Sequence, residues 1–393
     1  MEQTKHDYEK QLLLEFIGAV INGEEPPRPA KEPDWQALYK DAYFHHVANT
    51  VYIALIGMTA GETLAEVRPL FEEAYTRAHL LEEAYTQEAV AIYAMLERCQ
   101  VHCMESEERV LARYYDKLEQ RMPTELVIQV EAGDQDLLRQ EMARLGYQPR
   151  KGAGRTIRRR TNGKEHANDG RELRFVKEGG IYVTFREDFG FRSKAASKYF
   201  DPHPGRWPKV PGFSYIHHMV PADFYLYDVT RMAERFTRGE LEIKDVADLW
   251  MLYLAAYEAI DWKEANQAFR TLKIDGFAAY IVKLAALWFG EQAFPEDART
   301  LGAMQDYILS KGREGRDDSE AIIPLEEVVS HTHRNLRREE RRRNLRLLFP
   351  EAAYMEAMYP TLSLHPRYLP FCWVHRLTSQ KVRRWKARLG KKA

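Results

Sequence analysis

The hexapeptide Glu125–Val130, ELVIQV, alternates apolar and polar side chains, as a half-buried β-strand does. Leu137–Leu145 behind it has the spacing of a short helix, and Gly146 fits the position just past that helix, where a left-handed backbone is favoured. Further along, Leu173–Val176 and Ile181–Phe185 flank Lys177-Glu178-Gly179-Gly180, a hairpin signal with glycines where φ > 0 is required. Strand, helix, strand and hairpin in that order predict a small mixed sheet between about residues 100 and 200.

Outward from this unit the period changes. Leu12, Leu13, Phe16, Ile17 and Val20 line one face of a helix over Tyr8–Ile21, which Asn22-Gly23 ends. Asp34 is a candidate N-cap for a second helix, whose apolar stripe runs from Trp35 through Val47 and Tyr52 to Leu55. Glu62 to about Arg98 reads as a long third helix with an acidic outer face. On the other side, helical spacing returns at Phe224–Met232, Val246–Leu254 and Phe277–Trp288. The expected fold class is α+β, with four regions: a helical lobe (1–99), the sheet unit (100–205), a helical bundle (206–348), and a closing segment with a basic tail (349–393).

The 393 residues are 45 % hydrophobic and 30 % charged, with Lys+Arg 58 against Asp+Glu 59 and a net charge of −1. That balance excludes a global field for nucleic acid or acidic lipid and argues against extended disorder. Three cysteines, Cys99, Cys103 and Cys372, are too few for a disulfide framework and fit a reducing compartment, so the expected location is cytoplasmic. The N-terminus lacks a signal-peptide core, and no apolar stretch is long enough to span a bilayer.

Several constellations carry candidate chemistry. Cys99, His102 and Cys103 would need a fourth ligand to make a zinc site, so two packed cysteines are the simpler reading. Neighbouring histidines at His217-His218 and at His331 and His333 point in different directions along a regular element. His45-His46 falls inside the apolar stripe of the second helix. Arg150–Lys164 holds seven basic side chains and no acidic one, as a solvated loop would. Arg334, Arg337, Arg338, Arg341 and Arg342 align on one face of a helix over His331–Arg346, which suits successive phosphates of a nucleic acid or a plain solvated surface. Asp134 and Asp136 follow the central strand, and Glu187-Asp188 follow the hairpin. Carboxylates at such strand ends either hold Mg²⁺ beside a nucleoside triphosphate or cap the next element.

The order of these segments resembles the uncharacterised bacterial nucleotidyltransferase family. The similarity is carried by Asp34-Trp35 through Leu55, and by Tyr114-Tyr115 with Arg121–Ile128 and Gly146-Tyr147. It continues through Asp223–Tyr227, Asp248-Leu249-Trp250, Ile260-Asp261-Trp262 and Phe277. Leu348-Phe349-Pro350, Tyr359-Pro360, Leu362 and Leu369-Pro370 close it. The resemblance implies a minimal nucleotidyltransferase sheet whose carboxylates hold Mg²⁺ and orient attack on the α-phosphorus of an NTP.

Here the first carboxylate position is Glu125, the second Val127, and the third Thr184, with Arg186 where the family carries a histidine. The family's Lys-Gly pair falls near Glu107-Glu108, and its helical histidines and lysine near Arg231, Glu234 and Arg235, while Asp248 is kept. Read this way, the resemblance implies a degenerate member. Glu125, Asp134, Asp136 and Asp188 remain as candidate catalytic carboxylates, and Arg121, Arg186, Arg231 and Arg235 as phosphate-contacting cations. Such a protein would bind a nucleotide, polyphosphate or protein partner. The alternatives are an active Mg²⁺-dependent enzyme moving a nucleoside monophosphate to a hydroxyl, and a nucleic-acid-binding module built on Arg334–Arg346.

Overall fold

A computed structural model describes residues 7–58, 61–133, 135–150, 172–200, 204–290 and 299–309. All of them belong to the first of two units into which the chain divides, Met1–Val329. Asp134, the basic segment after Arg150, the expected helix over His331–Arg346, the closing segment, the tail and Cys372 lie outside the described residues.

Helix α1 (Asp7–Asn22) buries Leu12, Leu13, Phe16, Ile17 and Val20, the stripe its spacing predicts. The Asp34 carboxylate accepts from the Ala37 amide at 3.0 Å and starts α2 (Trp35–Phe44). The single helix expected as far as Leu55 is instead two, because the chain turns at His45-His46 before α3 (Ala48–Leu55). His46 takes the left-handed φ of 55°, and the Val47 amide reaches back to Ala42 O at 2.9 Å, which closes the last turn of α2. The two histidines therefore mark a corner.

Helix α4 (Glu62–Arg98) runs for 37 residues and joins two hydrophobic cores. Leu64, Val67, Phe71 and Ala74 belong to the helical core, whereas Tyr85, Ala89, Ile92, Met95 and Leu96 belong to the core behind the sheet. After it come β1 (Cys103–Met104), α5 (Glu107–Ala112), a 3-10 turn at Leu118–Gln120, and β2 (Leu126–Gln129). Helix α6 (Gln135–Arg144) leads through Gly146, at φ 86°, to β3 (Gln148–Pro149), then β4 (Glu172–Lys177) and β5 (Ile181–Arg186). The hairpin turn carries Gly179 and Gly180 at φ 90° and 83°, conformations open to glycine.

The sheet order is β2-β5-β4-β3, with β2 and β5 parallel and the other pairs antiparallel. Leu126 pairs with Val183, Val127 with Thr184, Ile128 with Phe185, and Gln129 with Arg186. Side chains alternate across a strand, so Leu126, Ile128, Val183 and Phe185 share the back face and are buried with α4. Val127, Gln129, Thr184 and Arg186 share the front. At the entrance to β2 and β5 the Tyr85 hydroxyl of α4 donates to Thr124 O at 2.7 Å and accepts from the Tyr182 amide at 3.0 Å.

Helix α7 (Lys194–Tyr199) precedes β6 (Ile216–His217), which pairs in parallel with β1. Then follow α8 (Pro221–Thr237), α9 (Ile243–Ala256), α10 (Trp262–Leu272), α11 (Asp275–Phe289) and α12 (Arg299–Leu309). These helices share one core with α1 to α3. Asn22 ties the contact by donating to Phe289 O at 2.6 Å and accepting from Trp250 Nε1 at 3.2 Å. The architecture is α+β, as expected. No described helix is long and apolar enough to cross a membrane.

Candidate functional site

The front of β2 and β5 faces a cleft of about 490 Å³, counted with its open mouth. Val127, Gln129 and Arg186 form its floor. Met104 comes from β1, Glu105 from the link after it, Glu107 and Val110 from α5, Asp188 and Phe189 from the segment after β5, and Phe224, Tyr227 and Arg231 from α8. The cleft thus lies where the sheet unit meets the C-terminal helices, with an aromatic and aliphatic wall and charges of both signs.

Among the residues expected from sequence, the structure brings Arg186, Asp188 and Arg231 together here. Arg186 Nε donates to Glu172 at 3.0 Å, and Arg174 Nη2 donates to the same carboxylate at 2.8 Å. Despite burial, these two arginines hold the Glu172 carboxyl below the usual range. Asp188 Oδ1 accepts from the Gly190 amide at 2.8 Å. Arg231 is ion-paired with Glu107 and donates to the Tyr227 hydroxyl at 3.2 Å. Glu187 accepts from Gln135 Nε2 at 3.0 Å.

The other expected residues sit elsewhere. Glu125, one residue ahead of β2, accepts from Thr184 Oγ1 at 2.5 Å. Asp136 is on the exposed face of α6, paired with Arg139 at 2.8 Å. Arg235 pairs with Asp245 and donates to Glu240 O at 2.9 Å. Arg121 is fully packed between Asp248, at 2.7 and 3.0 Å, and Glu108, at 2.8 Å.

That last group is a buried clamp. Tyr115 donates to Asp248 at 2.8 Å, the Thr124 amide donates to Glu108 at 2.9 Å, and Lys244 Nζ stands 3.7 Å from Glu108. Burial alone would raise the Glu108 carboxyl, but Arg121 and Lys244 outweigh it and pull its pKa down to about 2. Asp228 on α8 is the reverse case. Burial, with Asp248 and Asp245 nearby, pushes its pKa up to about 8, and its Oδ2 has no hydrogen-bond partner among the described residues.

Two other sequence features also meet. His217 Nδ1 donates to Trp207 O at 2.9 Å, so in the neutral ring its Nε2 accepts from His102 Nδ1, 2.9 Å away. Cys103 is buried, and burial raises its thiol well above the ordinary value.

The family's chemistry calls for Mg²⁺ held by oxygen anions on the front of the sheet. Two of the three positions that the resemblance gives to carboxylates do not fit it. Valine offers no oxygen at position 127, and the Thr184 hydroxyl is engaged by Glu125. Among the described residues, no three His, Cys, Asp or Glu side chains are grouped closely enough to hold an ion.

Glu105, Glu107 and Gln129 were not singled out as cleft residues from sequence. Alternation in ELVIQV places Gln129 beside Val127 and is the signal for that residue; Glu107 falls near the resemblance's Lys-Gly pair, and nothing local marks Glu105. A family model described as an uncharacterised nucleotidyltransferase matches residues 31–290, from before α2 to the end of α11. No curated protein and no solved structure matched the chain. The family match spans well over half of the sequence, the sheet and both walls of the cleft included, and the chain belongs to the uncharacterised nucleotidyltransferase family.

Proposed function

We propose that this chain keeps the nucleotidyltransferase scaffold without its metal-dependent catalysis and acts by binding a nucleotide or other phosphate compound in the cleft. The observation that carries this reading is the pairing of Val127 with Thr184 across β2 and β5. Those two neighbours stand where the resemblance puts the second and third metal-holding carboxylates. Without them a cation beside a triphosphate lacks two of the three carboxylates that the resemblance implies, and the electrostatic part of the barrier reduction, on the order of several kcal/mol, is lost.

Binding is served by what remains. Arg186 and Arg231 supply guanidinium groups, whose planar fork of donors matches phosphate in geometry. Phe189, Phe224 and Tyr227 offer a wall on which an aromatic or apolar moiety can rest. Arg121 and Arg235 support the walls through Asp248 and Asp245.

The test combines transfer and binding. Purified protein with millimolar Mg·ATP or Mg·GTP should transfer no nucleoside monophosphate to itself or to a hydroxyl acceptor. Its melting temperature should respond equally with and without EDTA. Magnesium-dependent transfer, or stabilisation by several degrees that EDTA abolishes, would overturn this reading. It would favour an active enzyme, for which Glu105, Glu107 and Asp188 at the cleft are the nearest carboxylates. In the same assay, Val127→Asp should acquire a magnesium-dependent stabilisation that the natural protein lacks.

A further inference from the structure

Glu107 and Arg231 approach each other from opposite walls of the cleft, α5 on one side and α8 on the other. Their side chains keep 20 % and 25 % of their surface exposed, so the pair is neither fully solvated nor sealed. Other arginines of this region are held more firmly. Arg121 has two carboxylates, and Arg235 has a carboxylate together with a backbone carbonyl.

Among the described residues Arg231 has Glu107 and one weaker contact, the Tyr227 hydroxyl, whose ring centroid lies 5.7 Å from the guanidinium carbon. It is also crowded. Burial, together with Arg235 and Arg238 further along α8, lowers the Arg231 pKa to about 10, so it stays charged at neutral pH in a place that disfavours its charge. A cation in that setting gains from any anion that reaches it.

We propose that Glu107 is an internal occupant of an anion site on Arg231, and that a phosphate-bearing ligand binds by taking its place. This rests on the reading of the cleft as a phosphate-binding site and adds how entry is controlled. A carboxylate and a phosphate present oxygens to the same fork of guanidinium donors, so one can replace the other without rearranging α8.

Because Glu107 is tethered to α5, it competes at a high effective concentration, about millimolar or above. A singly charged anion does not overcome that competition. A pyrophosphate or terminal phosphate group, with more charge and more acceptor oxygens, does. Glu107 thereby sets the charge a ligand must carry, and the displaced carboxylate turns to solvent at the open side of the cleft.

The experiment is titration calorimetry in EDTA with inorganic phosphate, pyrophosphate and ATP. It uses the full-length protein, Glu107→Gln, and Glu107→Gln combined with Arg231→Gln. Relative to the natural chain, Glu107→Gln should bind pyrophosphate and ATP about tenfold more tightly, the change expected when one charged competitor is removed. The double variant should lose that gain. A larger gain for ATP than for pyrophosphate assigns the ligand to nucleotides, whereas equal gains assign it to the phosphate chain alone, and either supports the exchange.

A folded Glu107→Gln that binds no more tightly than the natural protein overturns the proposal, as does a double variant that keeps the gain. If Glu107→Gln does not fold, the natural chain carries the test. Saturating pyrophosphate should move the ¹³C carboxyl resonance of Glu107 toward that of a solvated carboxylate, and an unmoved resonance overturns the proposal. Magnesium-dependent transfer by the natural protein would remove the loss of catalysis while leaving the exchange at Arg231 intact, so the two readings fail separately.

Discussion

Glu107 and Glu108 are neighbours in sequence and opposite in fate. Glu108 turns into a sealed clamp with Arg121, Lys244 and the Thr124 amide, while Glu107 turns outward and, among the described residues, pairs with one arginine at the cleft. Both are ion pairs between glutamate and arginine. They differ in how many partners each charge has and in how much water reaches it. A desolvated charge with several partners is costly to disturb because each remaining partner is left uncompensated. A pair that keeps a fifth to a quarter of its surface exposed is less costly to disturb, because water can take the place of a lost partner. The same chemistry thus holds the fold together at one residue and leaves it open to a ligand at the next.

The largest effect should come from breaking the clamp. Glu108→Gln leaves Arg121 and Lys244 short of counter-charge and should cost about 3–5 kcal/mol of unfolding free energy, measured by urea titration. Acid provides a second reading of the same group. With a folded pKa of about 2 against an ordinary 4.5, Glu108 contributes stability that is fully present above pH 4.5 and disappears as pH falls toward 2. A natural protein whose stability is flat across that window would contradict the clamp.

Asp228 should shift stability the other way. It holds its proton in the folded chain up to about pH 8, whereas an unfolded aspartate loses its proton near 3.8, so the folded state is progressively disfavoured as pH rises between those values. Asp228→Asn removes this penalty. It should stabilise the protein by about 1–3 kcal/mol at pH 8 and by much less at pH 4, read as the difference between two thermal melts. Equal effects at both values would show that Asp228 does not titrate in that range.

The smallest effect on stability belongs to the cleft. Glu107→Gln should cost about 1 kcal/mol of unfolding free energy, because Arg231 loses its carboxylate while water still reaches part of the pair. A loss as large as that of Glu108→Gln would erase the contrast and make both glutamates structural.

The back of the sheet and much of the helical framework were legible because each depends on local periodicity. ELVIQV places Leu126 and Ile128 against α4, and the glycines after Lys177 mark the hairpin. The stripes of α1, α8 and α11 follow their spacing, and that of α9 does so from Val246 to Trp250 but not at Leu254, which is exposed. The corner at His45-His46 was not legible, because the apolar stripe continues across it while the backbone turns.

The cleft was only half legible. Alternation along β2 and β5 puts Val127 and Arg186 on one face, but the fate of an arginine depends on partners remote in sequence. Arg121 meets Asp248 at a separation of 127 residues, and Arg231 meets Glu107 at 124. No local pattern encodes those distances. Four arginines that read alike as candidate phosphate contacts divide into two at the cleft and two in the walls.

The phenol of Tyr85 reaches from the middle of α4 to two neighbouring strands, accepting the Tyr182 amide proton and donating to Thr124 O. One oxygen therefore fastens the entrance of β2 and β5 to a helix whose other end is embedded in a separate core. Opening the sheet at that point requires releasing α4 as well, so deuterium should reach the Tyr182 amide no faster than it reaches the buried turns of the long helix.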